Sequence, residues 1–238
     1  MQKKGLLCGI VVLLVGMCVM PLASSLSIEK HVSIASSMKE TGPGYVNWTI
    51  NGTMGKNGWY ISPITLTCTY DHDWYTGVYY SYNASGFVLY TGPFTIYDQG
   101  RIGFAWYTVD YQGNQGGLHG PFTFGIDYTP PEVSFWTPVN NTLYLFGKKL
   151  LHIDGISIII GKITIELAAS DKYTGIANLS CALANTQNTI THEFDSTPFL
   201  WKISGRHLGT YTLSAIAYNF AGLCTNTTIQ VRLLQFGI

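Results

Sequence analysis

FAWYTVDYQGNQGGLHGPFTFGIDYTPPEV, residues 104–133, reads as a strand, a turn, a second strand and a stiff exit. Ile102, Phe104, Trp106 and Thr108 fall at every second position, so they share one face of a strand. The run DYQGN is made of residues that build turns locally. At the far end, Pro130 and Pro131 fix their own φ and restrict the residue before them, which makes Asp127-Tyr128-Thr129-Pro130-Pro131 a short, stiff linker into a second domain. A weaker copy of the same pattern stands at residues 210–231, TYTLSAIAYNFAGLCTNTTIQV. There Tyr211, Leu213, Ala215 and Ala217 share a face, and the Gly209-Tyr211 entry is similar to the tyrosine corner of Greek-key sandwiches.

Outward from this stretch the copies multiply. ITLTCTYDHDWYTGV (64–78) lies over ITIELAASDKYTGI (163–176), and TGPFTI (91–96) over STPFLWKI (196–203). AWYTVDYQGN (105–114) lies over LSAIAYNFAG (213–222). Three blocks in one order, offset by about a hundred residues, indicate tandem modules. Short alternating strands with turn signals about every ten residues predict an all-β sandwich in each. The expected division is a signal peptide at 1–25, a leader or linker at 26–50, a first β-sandwich at 51–129 and a second at 130–238. Residues between Pro138 and Ile163 add a hairpin to the second module.

The N-terminus carries Lys3 and Lys4, an apolar run from Gly5 to Met20 and the small residues of PLASS, the grammar of a secretory signal with cleavage expected near Ala23-Ser24-Ser25. An uncleaved anchor is the alternative, since Gly5 to Ala23 is long enough to cross a bilayer. Export fits six Asn-x-Ser/Thr sequons, at Asn47, Asn51, Asn83, Asn140, Asn178 and Asn226. Cys68, Cys181 and Cys224 remain after the signal. Two readings stand for Cys181 and Cys224: a bridge within the second module, or small buried hydrophobes.

Only 11% of the 238 residues are charged, against roughly 25% in an average soluble domain, and the formal net charge is zero. No run of basic residues follows the N-terminus, so nucleic acid is not an expected partner, and a membrane is expected only through the signal segment. Nucleophile-elbow, zinc-protease, Cys-x-x-Cys, phosphate-loop and dinucleotide motifs are absent from the sequence, which points away from an enzyme. Asp71 and Asp73 are adjacent on one face and do not form an opposed acid and base for sugar hydrolysis.

Two sets of residues remain. Asp71 and Asp73 end one strand, Asp110 and Asn114 the other, and in a sandwich these connections emerge at one end. Their oxygens could gather around Ca²⁺, or could satisfy the amides of their own turns. Trp74 and Tyr75, read as loop residues, are the candidates for stacking on a sugar or peptide.

The pattern GWYISPITLT…D…TGV…YTGPFTI…VDYQGN…IDYTPPEV resembles the immunoglobulin-like repeats of bacterial and archaeal cell-surface proteins, over residues 50–235. The second copy departs from it, with Asn219 at the place of Asp110 and Leu223 at that of Asn114. The resemblance implies two tandem immunoglobulin-like, Greek-key β-sandwiches and a non-catalytic role in adhesion, spacing or binding to a protein or glycan at the cell surface. A secreted carbohydrate-binding protein using exposed aromatics is the alternative.

Overall fold

Alternation of apolar and polar residues dominates the sequence, and strands follow from it. The computed structural model describes residues 32–34 and 44–237, and the regular elements among them are all strands. The expected signal segment lies outside the described residues. Among those residues no helix is long and apolar enough to cross a membrane.

The first unit takes β1 (Val32–Ile34), β2 (Val46–Asn51), β3 (Trp59–Tyr60), β4 (Ile64–Tyr70) and β5 (Tyr75–Tyr82). It continues with β6 (Val88–Leu89), β7 (Phe94–Ile96), β8 (Gly100–Asp110) and β9 (His119–Ile126). These form two sheets, ordered β1-β2-β4-β7 and β3-β9-β8-β5-β6. Between them lies a core in which Ile64, Leu66, Cys68, Ile102, Phe104 and Trp106 are buried, the faces that alternation assigned. Each fully buried side chain of this size stabilises by about 1.5–3 kcal/mol.

The second unit takes β10 (Glu132–Thr137), β11 (Thr142–Leu145), β12 (Lys148–His152), β13 (Ser157–Ile160) and β14 (Thr164–Ser170). It closes with β15 (Ile176–Ala184), β16 (Thr189–Phe194), β17 (Phe199–Lys202), β18 (His207–Asn219) and β19 (Cys224–Gln235). Its sheets run β10-β14-β17 and β12-β11-β13-β19-β18-β15-β16. Apart from β1 and the β11–β12 hairpin, the two units have the same order: β2-β4-β7 answers β10-β14-β17, and β3-β9-β8-β5-β6 answers β13-β19-β18-β15-β16. Even the parallel contact of β3 with β9 recurs, as β13 with β19, and β11 adds a second parallel pairing to β13. The expected tandem sandwich-like architecture is thus present, and the added hairpin is β11–β12.

One boundary shifts. Residues 26–50, expected as leader or linker, include most of β2, whose Trp48 and Ile50 are each 2% exposed. Trp48 meets Tyr80, Tyr90, Phe94 and Phe104 edge-on, with ring centroids 4.9–6.2 Å from its own. Its indole N–H is buried with no oxygen partner, so packing against these rings is what holds it. The first sandwich therefore begins by Val46 rather than at residue 51.

Candidate functional site

The linker enters the second sandwich through Asp127, the residue after β9. Its N–H donates to Tyr60 O at 2.8 Å, and the residue is fully buried. Its carboxylate reaches across to the second unit. Oδ2 accepts from Thr174 Oγ1 at 2.6 Å and from Asn219 Nδ2 at 3.0 Å, while Oδ1 accepts the N–H of Thr129 at 3.1 Å. Asn219 Nδ2 is also within 3.1 Å of Asp171 Oδ2 and 3.3 Å of Thr129 O. Asp171, at the end of β14, takes the N–H groups of Tyr173, Thr174 and Gly175 on Oδ1 at 3.1, 2.7 and 2.9 Å. Every carboxylate oxygen of the pair thus has a donor, as burial requires.

The two acids are driven in opposite directions. Burial pushes Asp127 above the usual carboxylate value, against the pull of its bonds from Thr174 and Thr129, and the charge of Asp171 adds to the rise. Burial also pushes Asp171 up, but its bonds from Thr174, Asn219 and Gly175 outweigh that and hold it below the usual value. The Thr174 hydroxyl has one proton and two carboxylate neighbours, Asp127 at 2.6 Å and Asp171 at 3.1 Å. The shorter contact takes it.

A second contact runs alongside. Lys56 N–H donates to Ala221 O at 2.8 Å, and Asn57 Nδ2 donates to Phe220 O at 2.8 Å. The approach is close enough to require glycine at Gly55, where a Cβ would lie 2.4 Å from Ala221 O. A shallow cleft of about 340 Å³ opens beside the junction between Pro130, Glu132, Asp171 and Tyr173. The junction has the chemistry of a latch: fixed donors and fully engaged acceptors.

The expected calcium ligands sit at the opposite end of the first sandwich. Their two connections do meet, with Tyr111 OH donating to His72 O, and Tyr75 pairing with Asp110. Both oxygens of Asp110 and one of Asp71 are engaged locally. Asp110 Oδ1 accepts the N–H groups of Gln112 at 2.9 Å and Asn114 at 2.8 Å, and its Oδ2 accepts from Asn114 Nδ2 at 2.9 Å. These bonds, the side chain of Asn114 first, hold the Asp110 carboxyl below its ordinary value. Asp71 Oδ1 accepts the N–H of Asp73 at 2.9 Å. Among the described residues no three His, Cys, Asp or Glu side chains form a group able to hold a metal ion. The observed contacts are those of turns.

Of the expected aromatic pair, Trp74 is 48% exposed but Tyr75 is buried at 8%. A bulge between Tyr75 and Gly77 shifts the side-chain parity of β5 and turns Tyr75 inward, as one extra residue must. A second aromatic group is half-buried on the β5–β8 face, with only Phe87 of it exposed. Tyr79 and Tyr107, directly opposite on β5 and β8, stack at 5.2 Å with planes 6° apart, and Phe87 leans on Tyr107 at 4.9 Å. Leu89 covers Gly77, where a Cβ would come within 2.7 Å of it.

The sequon residues Asn51, Asn83, Asn140, Asn178 and Asn226 are exposed and Asn47 is half-buried. The Cys181–Cys224 bridge is not formed, since Cys181 is a free, buried thiol. Cys181 pairs with Ala215 on one side of β18, and Cys224 with Tyr218 on the other. Three residues along a strand is already about 10 Å, beyond the reach of a disulfide. The sequence reading missed the Asp127 latch. Its one visible trace was the departure of Asn219 from the Asp110 pattern.

No family model matches the chain, and no curated protein matches it. Among solved structures it is similar to the fibronectin(III)-like modules of Clostridium thermocellum CbhA, at 14% identity and a TM-score of 0.35, covering 79% of this chain and 94% of that one. It is also similar to a tetra-tandem repeat in the extending region of a large adhesion protein, at 10% identity and a TM-score of 0.32, over 80% of this chain and 57% of that one. A Cellulomonas fimi endo-β-1,4-mannanase double mutant matches 45% of this chain and 19% of its own, at 18% identity and a TM-score of 0.27.

Proposed function

We propose that this chain is an exported, non-catalytic pair of immunoglobulin-like domains acting in adhesion, spacing or binding at a cell surface. The observation that carries the reading is the junction. Two sandwiches of one strand order are bolted together through Asp127, Thr174 and Asn219 and again through Lys56 and Asn57. A stiff pair of this kind holds whatever its ends bind at a set separation, which is the work of a spacer or adhesion stalk. The immunoglobulin-like reading is supported by the strand order, with β2, β4 and β7 as A, B and E and β5, β8 and β9 as C, F and G. Export and glycosylation are supported by the N-terminal apolar run, the low charge and the accessible sequon asparagines.

Labelling of intact cells that produce the full chain with a membrane-impermeant amine reagent tests this. The expected result is labelling without lysis, and a fall in mass when N-glycans are removed. Labelling that requires lysis contradicts export and with it the surface role.

A second reading, a secreted carbohydrate-binding protein, is favoured by the half-buried Tyr79–Tyr107 stack flanked by the exposed Phe87, because partly accessible rings offer a sugar an apolar face to pack on. It relocates that function from Trp74 and Tyr75. Neutral oligosaccharides are expected to bind the chain and to lose binding in Tyr107→Ala. Equal binding by that variant removes the reading.

A further inference from the structure

The second sandwich ends, at the pole farthest from the first, in a surface that the coupling of the two modules does not use. β18 runs from His207 to Asn219, and Asn219 lies in the junction. His207 therefore marks the opposite pole, where it pairs with Gln235, and where Lys202 pairs with Thr164. The β11–β12 turn is there too, because Leu145 pairs with Ile160 and Ile160 with Leu234.

The turn residues are Phe146 and Gly147, both at positive φ, 47° and 79°. Two-residue hairpin turns of this form take Asn-Gly or Asp-Gly, since a bulky side chain is disfavoured in left-handed backbone. Phe146 is also 74% exposed. Its N–H donates to Ile160 O at 2.8 Å and one face of its ring lies over Gly161, where a Cβ would come within 2.5 Å, but most of the ring still faces solvent, and a bulky residue held in left-handed backbone in that setting marks function. Leu145, Leu150 and Leu151 are exposed beside it, and Phe236 is 63% exposed at the same pole. The root of the hairpin is firmly set. Thr142 N–H donates to Ser157 Oγ at 3.2 Å, Ser157 Oγ–H to Val139 O at 2.9 Å, and Val139 N–H to the Tyr144 hydroxyl at 3.0 Å. The hairpin is fixed at its base, and its tip rests on Gly161 with the rest of the Phe146 ring open to solvent.

Charge is segregated to the same place. Lys148, Lys149, Lys162, Lys202 and Arg206 are all exposed there, and residues 142–149, 158–164, 200–208 and 232–237, which build the pole, include no Asp or Glu. The sequence shows no basic run because the cations come from separate segments. Lysines on an edge strand discourage pairing with another sheet, which accounts for Lys148 and Lys149 but not for Phe146 or the cations off that strand. A soluble polyanion would use the cations and leave the aromatic tip idle. A bilayer with anionic headgroups uses both, the rings and leucines entering the interface and the lysine stems carrying their ammonium groups to the phosphates. We propose that this pole docks on an anionic lipid bilayer, with Phe146 and its leucine neighbours as the inserted tip and Lys148, Lys149 and Lys162 as the phosphate contacts.

Lysine acylation footprinting of the full chain on vesicles tests it, because it reads the pole separately from any lipid contact of the N-terminal apolar run. On vesicles in which roughly a third of the lipid is phosphatidylglycerol, Lys148, Lys149 and Lys162 are expected to react roughly tenfold more slowly than on phosphatidylcholine alone. Lys56 and Lys172, at the junction, are expected to be unchanged. Phe146→Asn relieves the backbone conflict and so keeps the fold, and is expected to restore most of the lost reactivity. Equal reactivity on both vesicles overturns the proposal, as does protection that survives Phe146→Asn. Protection that grows with protein concentration in the absence of lipid also overturns it, and assigns the pole to contact between copies of the chain.

Discussion

The turn Asp110–Asn114 at the free end of the first sandwich and the turn Asn219–Leu223 at the junction share one backbone. In each, the first residue donates its N–H to the carbonyl of the fifth at 3.0 Å and accepts the N–H of the fourth at 3.1 Å. In each, the side-chain Oδ1 accepts the N–H of the fifth residue at 2.8 Å. The difference is one atom. Asp110 has a second oxygen, which turns back to Asn114 Nδ2 within its own loop. Asn219 has a nitrogen, which donates outward to Asp127, Asp171 and Thr129. The Oδ1 side of the motif builds the turn, and the remaining atom decides whether the turn closes on itself or grips a neighbour. Asn219 is needed where it stands because two carboxylates already occupy the site and a third would have nothing to donate.

The largest effect is expected from erasing that difference. Asn219→Asp keeps the turn but sets a third carboxylate against Asp127 and Asp171 and removes their shared donor. It is expected to lower stability at neutral pH by about 3–5 kcal/mol, the cost of an uncompensated buried charge, measured by urea unfolding. Asp127→Ala deletes the acceptor instead and leaves the donors of Thr129 and Asn219 short of a partner. About 2–4 kcal/mol is expected.

The pH dependence sharpens the contrast between the two acids. Asp127 has a folded pKa above its unfolded value, so its contribution is fully present below the unfolded value and is lost as pH rises through the folded one. Asp171 is the reverse, contributing above the unfolded value and losing that only as pH falls through its lowered folded one. The stability of the wild type relative to Asp127→Asn is therefore expected to rise as pH falls from neutral into the ordinary carboxylate range, followed by urea titrations at each pH. Stability relative to Asp171→Asn is expected to fall toward the acid end of the same series. The smallest effect is expected from Asp110→Asn, which keeps both Oδ1 bonds and gives up one exposed contact to Asn114. Its shift in melting temperature should be below that of any junction variant.

Much of the fold was legible because period-two alternation survives wherever one face of a strand is buried. Ile64, Leu66 and Cys68, and likewise Ile102, Phe104 and Trp106, lie in the core as their spacing predicts. The repeat was legible because both copies keep Tyr-Thr-Gly, at 75–77 and 173–175, and Pro-Phe, at 93–94 and 198–199. β2 was not, because Asn47, Thr49 and Asn51 between its apolar residues gave VNWTIN the texture of the sequons around it; the alternation of Val46, Trp48 and Ile50 was the signal available. Tyr75 was misplaced because a bulge reverses parity without a mark in composition. The latch was out of reach for a different reason. Asp127 and Asn219 are 92 residues apart, and nothing periodic connects them. Only the departure of one copy from the other hinted that position 219 had a separate duty.

Scanning calorimetry of the chain and of its Asp127→Ala variant tests the central claim most directly. If the latch makes the two sandwiches one body, the wild type melts in a single cooperative transition and Asp127→Ala splits it into two. A wild type that already melts in two steps, or a variant that still melts in one at an unchanged temperature, contradicts the coupling on which the surface-stalk reading rests.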